Sequence, residues 1–163
     1  MTDSAELQVD GLTYRLRRAR VSDVPAIIAL LVADQIGATR ESPGADGLAA
    51  YEQAFAAIDA DPAHQLVVVT TPEGDAVATM QVSYLPGMAR RGSLRAQVEA
   101  VRVHAAHRRH GLGSALLSWA VEQARERGCS LVQLTSDKRR TEAHRFYGRL
   151  GFTASHDGFK LAL

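Results

Sequence analysis

Apolar residues recur along the chain with two periods, and each period predicts a different element. Over Leu12–Arg17 apolar and polar side chains alternate, which is typical of a half-buried strand. The following apolar residues recur at helical spacing, with Ser22 or Asp23 as the N-cap and Gly37 as the end of the helix. A second helix is predicted over Leu48–Ile58, since the Asp-Pro pair beyond it disfavours helix.

The rest of the chain alternates short apolar strands with helices. The predicted strands are 66–70, 76–84, 97–103, 131–135 and 159–163, and the predicted helices are 114–127 and 141–150. Residues 38–47 contain Pro and Gly and are predicted to form a loop. Residues 1–10 are predicted to be a flexible tail before one domain over residues 11–163. The order of elements indicates a mixed α/β domain with one sheet and helices on its faces.

Composition narrows the classes of function. A formal net charge of +1 gives no bulk attraction to nucleic acid or a membrane surface. No run of about 18 apolar residues indicates a membrane span, and the first residues lack the form of a signal peptide. The single cysteine, Cys129, can form no internal disulfide and has no metal-ligand spacing around it. We therefore expect a soluble cytoplasmic protein without a metal.

The most informative stretch lies between the strand ending at Val103 and the helix after it. Gly111 and Gly113 allow a ligand to approach the backbone closely. The first turn of a helix offers unpaired N–H groups and the positive end of the helix dipole, so a pyrophosphate would fit there. The rim adds the donors of Arg108, Arg109 and His110. The glycine spacing alone equally fits a tight loop with a solvated basic rim.

Two motifs together are more specific. Residues 101–117, VRVHAAHRRHGLGSALL, resemble the acetyl-CoA-binding motif of the GNAT N-acetyltransferase superfamily, Gln/Arg-x-x-Gly-x-Gly/Ala after a hydrophobic strand. Residues 143–152, AHRFYGRLGF, are similar to the family's Ala-x-x-Phe-Tyr-x-x-x-Gly-Phe helix end. The resemblance implies a single-domain GNAT fold with a central mixed, mostly antiparallel sheet and helices on both faces. Arg140 departs from it, since many members have asparagine there.

The resemblance also implies roles for the residues of the first motif. The backbone of Val101 and Val103 is expected to pair with the pantetheine arm of acetyl-CoA, as an added strand would. The pyrophosphate is expected on the backbone N–H groups of Arg109, His110, Gly111, Leu112, Gly113 and Ser114. The side chain of Arg108 either touches phosphate or braces the loop.

Tyr147 of the second motif resembles the general acid that protonates the departing CoA thiolate. A phenol of pKa about 10 is well matched to a thiol of pKa about 8.5 to 10. The alternative is a core tyrosine beside Phe146.

Glu99 is the candidate on the acceptor side. Strand alternation predicts that Gln97, Glu99, Val101 and Val103 share one face. Some small-molecule acetyltransferases of the family have a glutamate at the matching place. Glu99 would then act as a base through water or anchor a cationic amine; the structural alternative is an ion pair with Arg95 or Arg102.

The predicted activity is direct transfer of acetyl from acetyl-CoA to a primary amine of a small molecule or amino-acid derivative. The predicted acceptor pocket comprises the loop around residues 34–47, the connector at 86–95 and Glu99. Acetylation of a protein N-terminus or lysine and a non-catalytic acyl-CoA-binding module are the alternatives. The expected partner is a small-molecule amine, and neither nucleic acid nor a membrane is expected as a partner. The sequence leaves open whether the protein forms a homodimer. Binding of nucleic acid is disfavoured by the net charge and by the lack of an aromatic stripe.

Overall fold

The computed structural model describes residues 4–34, 41 and 44–163, which form two compact units by contact, one up to Gln133 and one from Leu134. The strands in these ranges are β1 (Ser4–Val9), β2 (Leu12–Arg18), β3 (His64–Thr70), β4 (Ala76–Pro86), β5 (Leu94–Val103) and β6 (Leu131–Leu134). The helices are α1 (Val24–Val32), α2 (Ala45–Ala60), the single turn α3 (Ala89–Gly92), α4 (Leu112–Glu126) and α5 (Thr141–Arg149). Short 3-10 turns cover 21–23 and 105–107.

The strands form one sheet in the order β1-β2-β3-β4-β5-β6, and each pairing from β1 to β5 is antiparallel. Leu66 and Val68 of β3 pack with α1 and α2 on one face, which we call the α1/α2 face. Val67 and Val69 point to the opposite face and are also buried. Helix α4 contacts β1, β4 and β5, and we call its side of the sheet the α4 face. The predicted α/β class, with a mostly antiparallel sheet between helices, is confirmed.

The predicted flexible tail is wrong for the described residues 4–9. They form β1, which pairs with β2, and Leu7 and Val9 are buried. Asp10 and Gly11 close the hairpin with φ of 52° and 77°, as a two-residue turn of type I′ requires. An Asp-Gly pair after an alternating run is a hairpin signal that the sequence contained.

The predicted last strand at 159–163 is also wrong. Residues 152–163 contain no helix or strand, and the side chains of Phe159, Leu161 and Leu163 are exposed to solvent. An alternating apolar pattern forms a strand only when a neighbour supplies the ladder hydrogen bonds and an apolar cover. This segment has neither in the structure, although its alternation is regular.

Asp23 is the N-cap of α1, one of the two predicted residues, but its side chain caps no N–H group of that helix and instead forms an ion pair. The carboxylate of Asp23 accepts two hydrogen bonds from the Arg17 guanidinium, at 2.7 and 2.9 Å, and one from the backbone N–H of Arg20 at 2.7 Å. The hydrogen bonds from Arg17 hold the pKa of Asp23 below its usual value. Asp23 therefore fixes the end of β2 to the start of α1. Helix α1 ends at Val32, and the predicted end at Gly37 lies outside the described residues.

Candidate active site

A β-bulge interrupts β5 just before the predicted cofactor loop. Glu99 lies opposite Gln81, and the next pair is Arg102 with Thr79, so β5 advances three positions while β4 advances two. Ala100 has φ of 53°, an unfavourable backbone for a residue with a side chain. The extra residue on β5 is accommodated there, as in other bulges.

The bulge places Glu99 and Val103 on opposite faces of the sheet. Directly opposite residues of an antiparallel pair share a face. Glu99 therefore shares the α1/α2 face with Gln81, and Val103, opposite Ala78, lies on the α4 face. The prediction that alternation keeps Glu99 and Val103 on one face is wrong, because one extra residue reverses the alternation.

The backbone of the last residues of β5 is held by two arginines. The Val101 carbonyl accepts a hydrogen bond from Arg102 Nη1 at 2.8 Å, and the Val103 carbonyl accepts one from Arg108 Nε at 2.9 Å. Arg108 thus braces the loop, one of its two predicted roles. Each of these two carbonyl oxygens has a second lone pair, so it can still accept a hydrogen bond from a ligand.

Strand β6 is attached to the other end of β5. The Ser130 N–H donates to the Leu94 carbonyl at 2.8 Å, and the Gln133 amide donates to the Gln97 side chain at 2.6 Å. Both contacts precede the bulge in β5. Neither contact involves Val101 or Val103, and pairing of a ligand with these two residues stays a prediction.

The loop after β5 enters α4 through two left-handed residues. Arg109 has φ of 66° and Gly111, the N-cap of α4, has φ of 94°. The helix begins at Leu112, two residues earlier than predicted, and its first hydrogen bond runs from the Ala115 N–H to the Gly111 carbonyl at 3.0 Å. The N–H groups of the residues between them therefore belong to the first turn, which has no intrahelical acceptors. Such a turn offers backbone donors and a positive dipole to an anion.

Two long-range contacts position this loop. His107 Nδ1 lies 2.9 Å from the hydroxyl of buried Tyr14 on β2, and His110 Nδ1 lies 2.8 Å from Asp10 Oδ2 in the β1–β2 turn. Arg108 and Arg109 remain exposed at the rim. Sequence reasoning missed Tyr14 and Asp10, because no local pattern links residues about ninety or more positions apart.

Glu99 is exposed on the α1/α2 face, and no ion pair of the described residues involves it. The proposed ion pair with Arg102 is wrong. Arg102 Nη2 instead contacts Asp34 Oδ2 at 3.0 Å, just beyond the end of α1. The carboxylate of Glu99 is therefore available to a ligand on this face.

Tyr147 lies on α5 in the second unit and is half-buried. Its ring centroid is 5.3 Å from that of Phe146 and 6.0 Å from that of Phe152. The Tyr147 carbonyl accepts hydrogen bonds from the N–H groups of Leu150 and Phe152, at 3.0 and 3.1 Å, which ends the helix. Arg140 directly precedes α5, and its carbonyl accepts the His144 N–H. Packing thus holds the Tyr147 ring in place, and the role of its hydroxyl stays a prediction.

Comparisons with known proteins identify the family. Residues 31–152 match the model of the acetyltransferase (GNAT) family. A crystal structure from Bacillus halodurans C-125, called a transcriptional regulator, is 41% identical, with a TM-score of 0.87 over 91% of this chain and 98% of its own. A Trypanosoma brucei acetyltransferase is 27% identical, with a TM-score of 0.73 over 92% of this chain and 99% of its own.

A curated relative matches over a shorter segment. Aminoalkylphosphonate N-acetyltransferase of Salmonella typhimurium (strain LT2) is 48% identical over 52 residues, which span 32% of this chain and 34% of that protein.

Within residues 4–34, 41 and 44–163 no helix is long and apolar enough to cross a membrane, and no group of three His, Cys, Asp or Glu side chains could hold a metal ion. Taken with the glycine-capped start of α4 after the bulged strand, the match to the family model shows that this chain belongs to the GNAT acetyltransferase family and is an N-acetyltransferase.

Proposed function

We propose that the enzyme transfers acetyl directly from acetyl-CoA to the primary amine of a small molecule. The observation that carries the proposal is the start of α4, where Gly111 is the N-cap with φ of 94° and the N–H groups of the first turn, before the bond from Ala115 to Gly111, have no intrahelical acceptors. The named activity of the Salmonella relative, acetylation of an aminoalkylphosphonate, is in keeping with a small amine acceptor. A cytoplasmic location and the absence of nucleic-acid and membrane partners belong to the same proposal.

The donor side uses backbone groups for the most part. The pyrophosphate of acetyl-CoA would bind the N–H groups from Arg109 to Ser114, with the guanidinium of Arg109 at the rim. The pantetheine arm would pair with Val101 and Val103 at the free edge of β5. The residues present fit this co-substrate, because an anion would satisfy first-turn N–H groups that have no intrahelical acceptors.

The acceptor would approach from the opposite face. Glu99 is exposed on the α1/α2 face, and the helix that carries the phosphate-binding turn packs on the α4 face. The bulge at Ala100 lies in β5 between Glu99 and Val101, the first of the two residues proposed to pair with the pantetheine arm. An amine held by Glu99 could then attack the thioester without crossing the CoA tail.

The reaction forms one C–N bond and breaks one C–S bond. The neutral amine attacks the thioester carbonyl, and the resulting tetrahedral intermediate expels the CoA thiolate. The thiolate takes a proton from the Tyr147 hydroxyl, and the amine loses its proton to Glu99, directly or through water. Tyrosinate is then reprotonated from solvent, so the net products are the amide and free CoA.

Replacing Gly111 by valine is expected to weaken CoA binding at least about tenfold, or 1.4 kcal/mol. Valine strongly disfavours the φ of 94° that Gly111 adopts at the start of α4, and its Cβ would lie 3.6 Å from Val9 Cγ1, so the loop that carries the proposed phosphate-binding N–H groups would be distorted. Isothermal titration of CoA against both proteins measures the change.

Gly74→Val is the matched control, because Gly74 also has positive φ, 102°, but lies in the β3–β4 turn. It carries a similar backbone strain and should bind CoA as the unaltered enzyme does. Unchanged CoA affinity in a folded Gly111→Val variant would remove the pyrophosphate from this loop.

A screen of amines with acetyl-CoA tests the proposed function as a whole. Release of free thiol, followed by mass spectrometry of the products, should identify an acetylated small amine. Acetylation confined to peptides with a free N-terminus or lysine would instead favour a protein acceptor. Binding of CoA without thiol release for any amine would contradict the proposal.

A further inference from the structure

An open cleft of about 730 Å³ lies at strand β2, three strands away from β5 in the sheet. Its volume is in the range of sites that bind small molecules. Four arginines, one aromatic ring and one carboxylate are among the groups that line it: Arg15, Arg17, Arg18, Arg20, Phe55 and Asp59. We call this site the basic cleft.

The floor of the basic cleft lies on the opposite face of the sheet from helix α4. In the register of β2 with β3, Arg15 lies opposite Thr70 and Arg17 opposite Val68. Because Val68 packs with α1 and α2, both arginines lie on the α1/α2 face, with their Cα atoms about 7 Å apart. Helix α4, whose first turn is the proposed pyrophosphate site, packs on the other face. A ligand of the basic cleft would therefore bind apart from the proposed site for CoA.

Two of the four arginines are held in place by carboxylates. Arg17 donates to Asp23 through Nη1 and Nη2, at 2.7 and 2.9 Å. Arg18 donates through Nε to Asp59 Oδ1 at 3.1 Å and through Nη2 to the Asp59 carbonyl at 3.2 Å. A guanidinium has five N–H donors, so both side chains keep donors that these bonds do not use. Fixed side chains with spare donors lower the entropic cost of binding an anion.

The other two arginines, Arg15 and Arg20, are exposed and have no carboxylate partner within the described ranges. Glu6 lies opposite Arg15 on β1, but these two described side chains form no ion pair, and Glu6 does not line the cleft. Four guanidiniums within six residues repel one another, and two carboxylates neutralise only half of their charge. An anionic ligand would relieve the remaining repulsion.

Apolar side chains supply another part of the cleft wall. Phe55 of α2 and Ala19 are buried in the core beneath α1 and α2, and both also line the cleft. Val21 lines it too, and its side chain is largely exposed. An aromatic or aliphatic group would bury apolar surface against these residues. The combination of cationic and apolar walls favours an organic anion over a bare inorganic ion.

We propose that the basic cleft is a second binding site, for a small organic phosphate whose phosphate contacts Arg15 and Arg20 and whose apolar part packs against Phe55 and Val21. A phosphate monoester carries close to two negative charges at neutral pH and three acceptor oxygens, which match the unpaired charge and the forked donors of arginine. The inference goes beyond acetyl transfer and does not depend on it.

Phenyl phosphate tests this inference, because it joins an aromatic ring to a phosphate. We would follow its titration by amide NMR shifts at fixed ionic strength, without and with saturating CoA, beside phenol and inorganic phosphate. Saturable shifts are expected at residues 15–21 and 55–59 in both cases. The Kd should be at least about tenfold lower than for either control compound, since each lacks one of the two contacts.

Three outcomes would overturn the inference. No saturable shift in the cleft at about 10 mM phenyl phosphate would remove the site. Loss of the shifts when CoA is added would assign them to the CoA site. Inorganic phosphate or phenol binding as tightly as phenyl phosphate would exclude an organic phosphate as the ligand. None of these outcomes bears on acetyl transfer, which the amine screen tests separately.

Arg15→Gln and Arg20→Gln assign the binding to these side chains. Each variant should weaken phenyl phosphate binding about tenfold through loss of a charge-assisted hydrogen bond. Arg125→Gln is the matched control, because Arg125 is an exposed arginine of α4 and does not line the cleft. Its affinity should equal that of the unaltered protein, and an equal loss in all three variants would reduce the effect to overall charge. If one cleft variant does not fold, the other and the titration of the unaltered protein decide.

Discussion

Tyr147→Phe is expected to lower kcat about a hundredfold and to leave acetyl-CoA affinity unchanged. The substitution removes one hydroxyl and keeps the ring, whose centroid lies 5.3 Å from that of Phe146 and 6.0 Å from that of Phe152. General acid catalysis is commonly worth a factor of about 100 or more, and the CoA thiolate would have to leave unprotonated in the variant. Steady-state kinetics with a saturating amine, together with a CoA titration, measure both quantities.

Tyr84→Phe provides the matched control. It also deletes a tyrosine hydroxyl, but that hydroxyl donates to buried Gln65 at 2.8 Å inside the sheet. Loss of this bond should cost about 1 kcal/mol of unfolding free energy and leave kcat nearly unchanged. Full turnover by Tyr147→Phe would make Tyr147 a packing residue only.

Glu99→Gln is expected to lower kcat/KM for the amine about a hundredfold. Glutamine keeps the size of the side chain but removes both its charge and its basicity, whereas the proposed site needs a carboxylate to bind the ammonium or to accept its proton. If Glu99 is the base, kcat falls and the acidic limb of the pH profile flattens. If it only anchors the amine, KM rises and kcat is nearly kept, because binding in the ground and transition states is lost equally.

The same variant also tests a purely structural role. Glu99 is exposed and has no ion pair among the described residues, so the unfolding midpoint should not change. Glu6→Gln is the control, since Glu6 is likewise an exposed glutamate of the sheet, on edge strand β1. Unaltered kinetics of Glu99→Gln at every pH would take Glu99 out of the site, and the proton would then leave through water.

Local patterns were sufficient for much of the fold. The apolar run of β3, the turn after it and the alternation of β4 predicted a hairpin that the structure confirms with slightly longer strands. The glycines after β5 predicted the start of a helix, and α4 begins at Leu112. These features depend on backbone preferences and periodicity within about fifteen residues, so they can be recognised without knowledge of the partners.

The arrangement of the candidate site was decided by tertiary structure. The residue at the bulge is alanine and not glycine, so the local sequence gives no sign of a bulge. The φ of 53° at Ala100 follows from the pairing of β5 with β4. Pairing also made a strand of residues 4–9, while 159–163 stayed irregular despite its alternation. The contacts of His110 with Asp10, His107 with Tyr14 and Arg102 with Asp34 join residues far apart in the chain. The sequence by itself predicted which residues near β5 are candidates for chemistry, but strand register decided which face of the sheet each one uses, because a single extra residue reverses every side chain beyond it.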